Sequence, residues 1–316
     1  MENYWYNKSV LVTGGSGFVG RHLVRELIRI GSTVSVIDLV PFEMNQYSPA
    51  FQDKIKFTNM NLISEDLQDY LNDSSFDVVF HLAGSASVQL SVEKPFSDFE
   101  ANLRGTLSLL ENIRLMPSSP RLVFLSSAAV YGNPEKIPIN ENDITVPISP
   151  YGISKLAAER YLYVYSNIHG LKAISARPFS VYGPEQTKQV IFDIIQKIKG
   201  NPRRLELFGT GDEARDFIYV QDLVNALILL AEQSRMSGEV YNVACGESVC
   251  ISTIAEDICR IMKVSPQIVY KGSVRPGVPL RWWADISRVK SLGFEPRTDM
   301  QEGLMETIDW YLKEFE

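Results

Sequence analysis

The first half of the chain alternates short β-rich runs with longer segments whose apolar residues recur at helical spacing. Residues 9–13 and 33–38 read as strands, and 18–30 between them reads as a helix. Further strands are expected at 56–59, 77–82, 122–127 and 173–177, and further helices at 64–72, 98–113 and 154–168. This alternation predicts an α/β fold: a doubly wound parallel sheet covered on both faces. After Pro178 the pattern loosens, with helices expected at 189–199, 222–233, 254–262 and 300–312 and a strand at 239–243. We therefore expect one domain over 1–178, with returns near 216–244, and a smaller one over 179–215 and 245–316.

Composition narrows the class. The 316 residues are 45% hydrophobic and 22% charged, the profile of a globular chain rather than a collagen-like or disordered one. A net charge of −7 leaves no basic footprint for nucleic acid or for a membrane surface. Met1 to Lys8 holds no apolar run of signal-peptide length, and no segment is apolar enough to span a bilayer. Cys245, Cys250 and Cys259 lack metal-ligand spacing with histidine and read as reduced core thiols. His22, His81 and His169 are scattered, so no metal is expected. A cytoplasmic location follows as the expectation.

Candidate chemistry begins at Thr13-Gly14-Gly15-Ser16-Gly17-Phe18-Val19-Gly20, between the first strand and the first helix. Gly14, Gly17 and Gly20 permit a tight turn and close backbone approach to a pyrophosphate, which the helix N-terminus then faces. Asp38 ends the next strand, where a carboxylate accepts from ribose hydroxyls and repels a 2′-phosphate. NAD is thus expected over NADP, although Arg21 beside the loop leaves NADP open.

Tyr151 and Lys155 stand four apart at the start of an expected helix, on one face. A tyrosine titrates near 10, and a neighbouring ammonium favours the phenolate. Bringing the phenol into the neutral range takes roughly 4 kcal/mol of differential interaction. The expectation is a base lowered by Lys155 and the positive nicotinamide ring together, which removes a hydroxyl proton as hydride leaves to NAD.

Between loop and tyrosine lies Ser126-Ser127-Ala128-Ala129-Val130-Tyr131-Gly132. With it the chain resembles the extended short-chain dehydrogenase/reductase family, in particular its nucleotide-sugar epimerases and dehydratases. His81-Leu82-Ala83-Gly84, Asn102-Leu103-Arg104-Gly105-Thr106, Arg177-Pro178-Phe179-Ser180-Val181-Tyr182-Gly183-Pro184 and Arg215-Asp216-Phe217-Ile218-Tyr219-Val220 add to the likeness. The resemblance implies a Rossmann-like domain with a smaller substrate domain. It implies Ser127, Tyr151 and Lys155 as catalytic residues. It places Phe18 and Val19 at the pyrophosphate, Asn61 and Leu62 at the adenine, and Leu82 and Ala83 along the adenosine side. Asn102 would support the cofactor side, and Pro178 and Phe179 would lie near the nicotinamide amide. For the substrate it implies Ser180, Arg215 and Arg275.

The same resemblance ranks the reactions. Dehydratases of the family carry a Glu two residues after the catalytic Ser or Thr; here that position is Ala129. An epimerase needs only reversible hydride transfer and a turn of the ketone, so 4-epimerisation of a nucleotide-diphosphate hexose is expected. A 4-keto-sugar reductase is the alternative, with a dehydratase or a non-catalytic dinucleotide-binding protein behind it. Ser180 stands where relatives usually carry Asn, and Val278 where many carry Asp. These departures leave the nucleotide and the sugar open; the resemblance implies UDP by default, with GDP, CDP and dTDP as alternatives. Apolar residues on more than one face of 98–113 and 154–168, as in relatives that pair these helices, lead us to expect a homodimer.

Overall fold

A computed structural model describes residues 4–272 and 281–315, the side chain of Gln46 apart. In chain order the first elements are β1 (Ser9–Thr13), α1 (Phe18–Arg29), β2 (Thr33–Asp38), α2 (Pro49–Gln52), β3 (Ile55–Asn59), α3 (Leu67–Asn72) and β4 (Val78–His81). Then come α4 (Val88–Glu93), α5 (Pro95–Phe99), a π-helical turn (Glu100–Arg104), α6 (Gly105–Arg114), β5 (Arg121–Leu125), α7 (Pro150–His169) and β6 (Lys172–Pro178). They are followed by β7 (Ser180–Tyr182), α8 (Gln189–Gly200), β8 (Arg204–Leu207), β9 (Ala214–Arg215), β10 (Phe217–Tyr219), α9 (Val220–Gln233) and β11 (Ser237–Val243). The last are β12 (Val249–Cys250), α10 (Ile251–Ile261), β13 (Gln267–Tyr270), β14 (Arg281–Trp282), α11 (Ser287–Lys290) and α12 (Met300–Glu314).

Seven strands form one sheet in the order β11-β6-β5-β4-β1-β2-β3, the doubly wound arrangement expected. β1 to β6 pair in parallel, in a register that aligns Thr13, His81 and Phe124 at the carboxyl ends of β1, β4 and β5. Helices on both faces explain why β4 is buried along its whole length and β1 almost so. α1 buries Leu23, Val24, Leu27 and Ile28 on one stripe. α7 starts where the Ser149 hydroxyl accepts from the Gly152 N–H at 3.1 Å, with Pro150 in the first turn, and stops at Gly170 with φ 70°.

The helix expected at 98–113 is broken instead into α5, the π turn and α6. Elements short in sequence, such as β7, β9, β12 and β14, carried too few residues for a period to be legible.

The chain divides into two compact units. The first comprises Met1–Tyr131, Thr145–Arg177 and Val224–Tyr241; the second comprises Gly132–Ile144, Pro178–Leu223 and Asn242–Glu316. The return near 216–244 is thus shorter than the sequence reading placed it, and 132–144 falls in the second unit. Hydrogen bonds within that unit give the reason. The Asp216 carboxylate accepts from the N–H groups of Cys245, Gly246 and Ala284. Asn242 donates from Nδ2 to the Ile139 carbonyl and from its N–H to Glu141.

Among the described residues no helix is long and apolar enough to cross a membrane, and no group of His, Cys, Asp or Glu could hold a metal ion. Cys245, Cys250 and Cys259 are unpaired. Only Cys259 is buried, so the expectation of three core thiols holds for that one alone; the others are half-buried beside shorter elements.

Candidate functional site

In the first unit the expected residues gather at the carboxyl ends of the strands. The turn after β1 is packed without room for side chains. A Cβ on Gly14, whose φ is +76°, would stand 2.5 Å from the Ala83 nitrogen, and one on Gly20 would stand 2.2 Å from the Gly14 carbonyl oxygen. α1 therefore starts directly over the turn, and the N–H groups of its first turn lack helical acceptors. Asp38 points at this loop: Oδ2 accepts from the Ser16 N–H at 2.9 Å and Oδ1 from the Val40 N–H at 3.0 Å. Arg21 donates from Nε and Nη2 to the Ser16 carbonyl, bracing the same loop. A glycine cradle, a helix N-terminus and a strand-end carboxylate fit a dinucleotide with free ribose hydroxyls.

Of the adenine set, Leu62 packs its side chain in the hydrophobic core, and its carbonyl accepts from the Ser108 hydroxyl. Asn61 is exposed, and its Oδ1 caps the Ile63 N–H, which leaves its amide hydrogens for recognition. Leu82 and Ala83 flank Gly14 through their backbones.

The next strands carry a buried polar relay. The Thr106 hydroxyl donates to the Asn102 carbonyl, so it accepts from His81 Nε2–H at 2.9 Å. His81 Nδ1 then accepts from the Thr13 hydroxyl at 2.7 Å. Burial, with the Lys155 charge second, pushes His81 down to about 3. It is a neutral strut joining β1, β4 and α6.

Ser126 and Ser127 part company at the end of β5. Ser126 is buried and donates to Glu159, whose carboxylate also holds the Arg177 guanidinium at 2.6 Å. Ser127 is hydrogen-bonded to Tyr151. Tyr151 and Lys155 share the inner face of α7, both buried. Lys155 donates to the Leu125 carbonyl at 3.0 Å and lies 5.9 Å from the centre of the Tyr151 ring.

The expected lowering of Tyr151 by Lys155 is not a property of the chain alone. Burial dominates and pushes the phenol up to about 12, the Ser127 hydrogen bond opposing and Asp98 adding. Burial likewise draws Lys155 down to about 8, against the charges of Asp98 and Glu159. Dry surroundings disfavour the charged form of both groups.

Asn102 lies fully buried on the π turn. Its Nδ2 donates to the Ser85 carbonyl at 3.0 Å and to Asp98 at 2.8 Å, while its Oδ1 has no partner. An orphaned buried acceptor calls for a partner, which a ligand or an ordered water would supply. Asp98, Glu159 and His81 were missed as members of the site. The only sequence signal was helical spacing, Asp98 four before Asn102 and Glu159 four after Lys155.

The second unit holds the remaining residues. Phe179 donates from its N–H to the Val243 carbonyl, and its ring meets Trp282 edge-on at 5.6 Å. Pro178 is buried at the end of β6. Ser180 donates from its N–H to the Asp216 carbonyl. Arg215 is half-buried in β9, between β12 and β14, and Nη1 donates to the Ala214 carbonyl. Burial lowers Arg215, the neighbouring Glu213 opposing. Asp216 is fully buried and pushed up to about 7 by burial, against its three N–H donors. Arg275 and Val278 lie outside the described residues.

Comparison with known proteins places this geometry. The family model for the NAD dependent epimerase/dehydratase family matches residues 10–244. A UDP-glucose 4-epimerase of Azospirillum brasilense is 33% identical over 322 residues, spanning 95% of this chain and 91% of that protein. The solved UDP-N-acetylglucosamine 4-epimerase from Methanobrevibacter ruminantium M1, in complex with UDP-N-acetylmuramic acid, superposes with a TM-score of 0.90 at 33% identity, covering 98% of this chain and 100% of that one. The UDP-glucuronic acid 4-epimerase from Bacillus cereus, in complex with UDP-glucuronic acid and NAD, gives 0.86 at 29% identity, covering 97% and 100%.

Proposed function

The chain belongs to the NAD-dependent epimerase/dehydratase family, and from that premise we propose that it catalyses 4-epimerisation of a nucleotide-diphosphate hexose, with UDP as the default nucleotide. The observation that carries the reading is half-buried Ser127 beside buried Tyr151 and Lys155, with Ala129, a methyl group, two residues after the serine. No carboxylate stands there to take a carbon-bound proton, which disfavours dehydration.

NAD, when bound, supplies reversible hydride transfer at the sugar carbon. Gly14, Gly17, Gly20, Phe18 and Val19 would hold its pyrophosphate and Asp38 its adenosine ribose. Ser127 orients the substrate hydroxyl. Tyr151 takes the C4 hydroxyl proton and later returns it. Lys155, while protonated, stabilises the phenolate, and a second positive charge in the site would bring Tyr151 further down from about 12. Arg215 and Arg275 hold the diphosphate while the 4-keto sugar turns, because a planar guanidinium matches phosphate oxygens. Net redox is zero, so no cofactor is consumed.

A homodimer and a cytoplasmic location belong to the same reading. Ile153, Tyr161, Val164 and Ile168 on α7 and Phe96 and Phe99 on α5 are exposed, more apolar surface than a solvated helix pair carries. A monomeric mass by light scattering at micromolar concentration would refute the dimer. Three unpaired cysteines suit a reducing compartment.

The activity is tested by incubating the protein with UDP-, GDP-, CDP- and dTDP-hexoses and following the sugar by NMR. We expect interconversion at C4. Loss of water, or stoichiometric oxidation of added NADPH with a 4-keto substrate, overturns the reading.

A further inference from the structure

Asp98 is 3% exposed, and both of its carboxylate oxygens are committed. Oδ1 accepts from Asn102 Nδ2 at 2.8 Å, and Oδ2 accepts from the Ser154 hydroxyl at 2.7 Å. One side chain thus ties α5 to the π turn and to α7, between Tyr151 and Lys155. The consequence for Asn102 is an orientation. Both hydrogens of its amide are used, one on Ser85 and one on Asp98, so the amide cannot flip and Oδ1 is held facing Gly84. Gly84 has φ +142°; a Cβ there would lie 2.4 Å from Asn102 Oδ1 and 3.7 Å from Lys155 Nζ. The unpartnered oxygen and the ammonium therefore border one small space that only glycine leaves open.

We infer that Asp98 is a positioning residue for the reaction: it locks the Asn102 amide with its oxygen turned into the site, and it sets the charge that Tyr151 and Lys155 both face. The inference rests on the epimerase reading for its kinetic arm only.

Asp98 raises both Tyr151 and Lys155. The other charged groups on the packed elements are few. From α7, Glu159 also faces Lys155 but is engaged by Arg177; Glu93 on α4 is exposed; Glu100 and Arg104 on the π turn pair with each other at the surface. His81 stays neutral nearby. Removing the Asp98 charge hence lowers Tyr151 and Lys155 together.

Asp98→Asn keeps the geometry: its oxygen accepts from Asn102, and its NH2 donates to the Ser154 oxygen. Its pH profile of kcat/KM is expected to move as a whole towards lower pH, by about one pH unit on each limb. NAD affinity by calorimetry is expected to stay near wild type. Asp98→Ala releases the Asn102 amide and is expected to weaken NAD binding at least tenfold. Ser154→Ala removes a tether but no charge and leaves the limbs in place. A uniform loss of activity in Asp98→Asn with unmoved limbs overturns the inference. So does wild-type NAD affinity in Asp98→Ala, or a moved profile in Ser154→Ala. A wild-type chain that epimerises nothing would sink the functional reading instead, while the calorimetry still tests Asp98.

Discussion

Breaking the Glu159–Arg177 pair is the sharpest test of how the site is held. The two side chains are 2% and 3% exposed and meet at 2.6 Å. Glu159 also accepts from Ser126, the residue before Ser127, and sits one helical turn beyond Lys155. Arg177 lies over the Tyr131 ring at 4.7 Å. Glu159→Gln leaves the guanidinium buried, and arginine cannot shed its charge. Removing one partner of a buried pair costs about 3–5 kcal/mol. The cation–π contact, worth up to about 2 kcal/mol when dry, is present before and after and offsets nothing. Arg177→Met strands the Glu159 carboxylate in turn and should also be strongly destabilising. The double variant should be more stable than Glu159→Gln alone, since no charge is left unpaired. Hydrogen exchange at the amides of β5 and β6 reads the first unit by itself, and urea unfolding gives the global value. A cost below about 1 kcal/mol for Glu159→Gln, or a double variant worse than the single, would refute the reasoning.

Three further outcomes are expected. Tyr151→Phe should lose about 10²–10⁴-fold in kcat while still binding NAD, as a general acid–base group does; near-normal turnover would transfer the proton to another residue. Asp38→Ala should narrow the preference for NAD over NADP, and Asp38→Arg should tend to reverse it, because the carboxylate now facing the loop would meet a 2′-phosphate; fluorescence titration with both cofactors decides, and tighter NADP binding by the wild type would favour the reductase. His81, pushed down to about 3 by burial, stays neutral in the fold while the unfolded chain takes up a proton below about 6.5. Its contribution is intact above that pH and is lost as pH falls towards 3, by about 1.4 kcal/mol per pH unit. Urea midpoints between pH 7 and 4 should fall more steeply for wild type than for His81→Gln, and parallel slopes would remove His81 as the cause.

Periodicity alone marked β1, α1, β2 and α7, because burial on both faces of the sheet forces long apolar runs and helical stripes that a sequence displays. The glycine loop, Asp38 and the Tyr151–Lys155 spacing were legible for a similar reason: each is a local constraint, a turn without Cβ atoms, a strand end, one face of a helix. What escaped was decided by groups distant along the chain. The resemblance named Ser127 rather than Ser126, but not the reason; Glu159, 33 residues on from Ser126, takes the first serine, and the second meets Tyr151. That the Leu62 side chain packs in the core was likewise settled by residues far along the chain, such as Leu109 and Leu110. The spacing showed Lys155 beside Tyr151, but not the burial, which raises the phenol and lowers the lysine in the chain by itself. The sequence determined which residue types stand where a strand ends or a helix begins. Only the tertiary structure, by removing water and bringing Asp98, His81 and Glu159 against them, decided their charge and orientation.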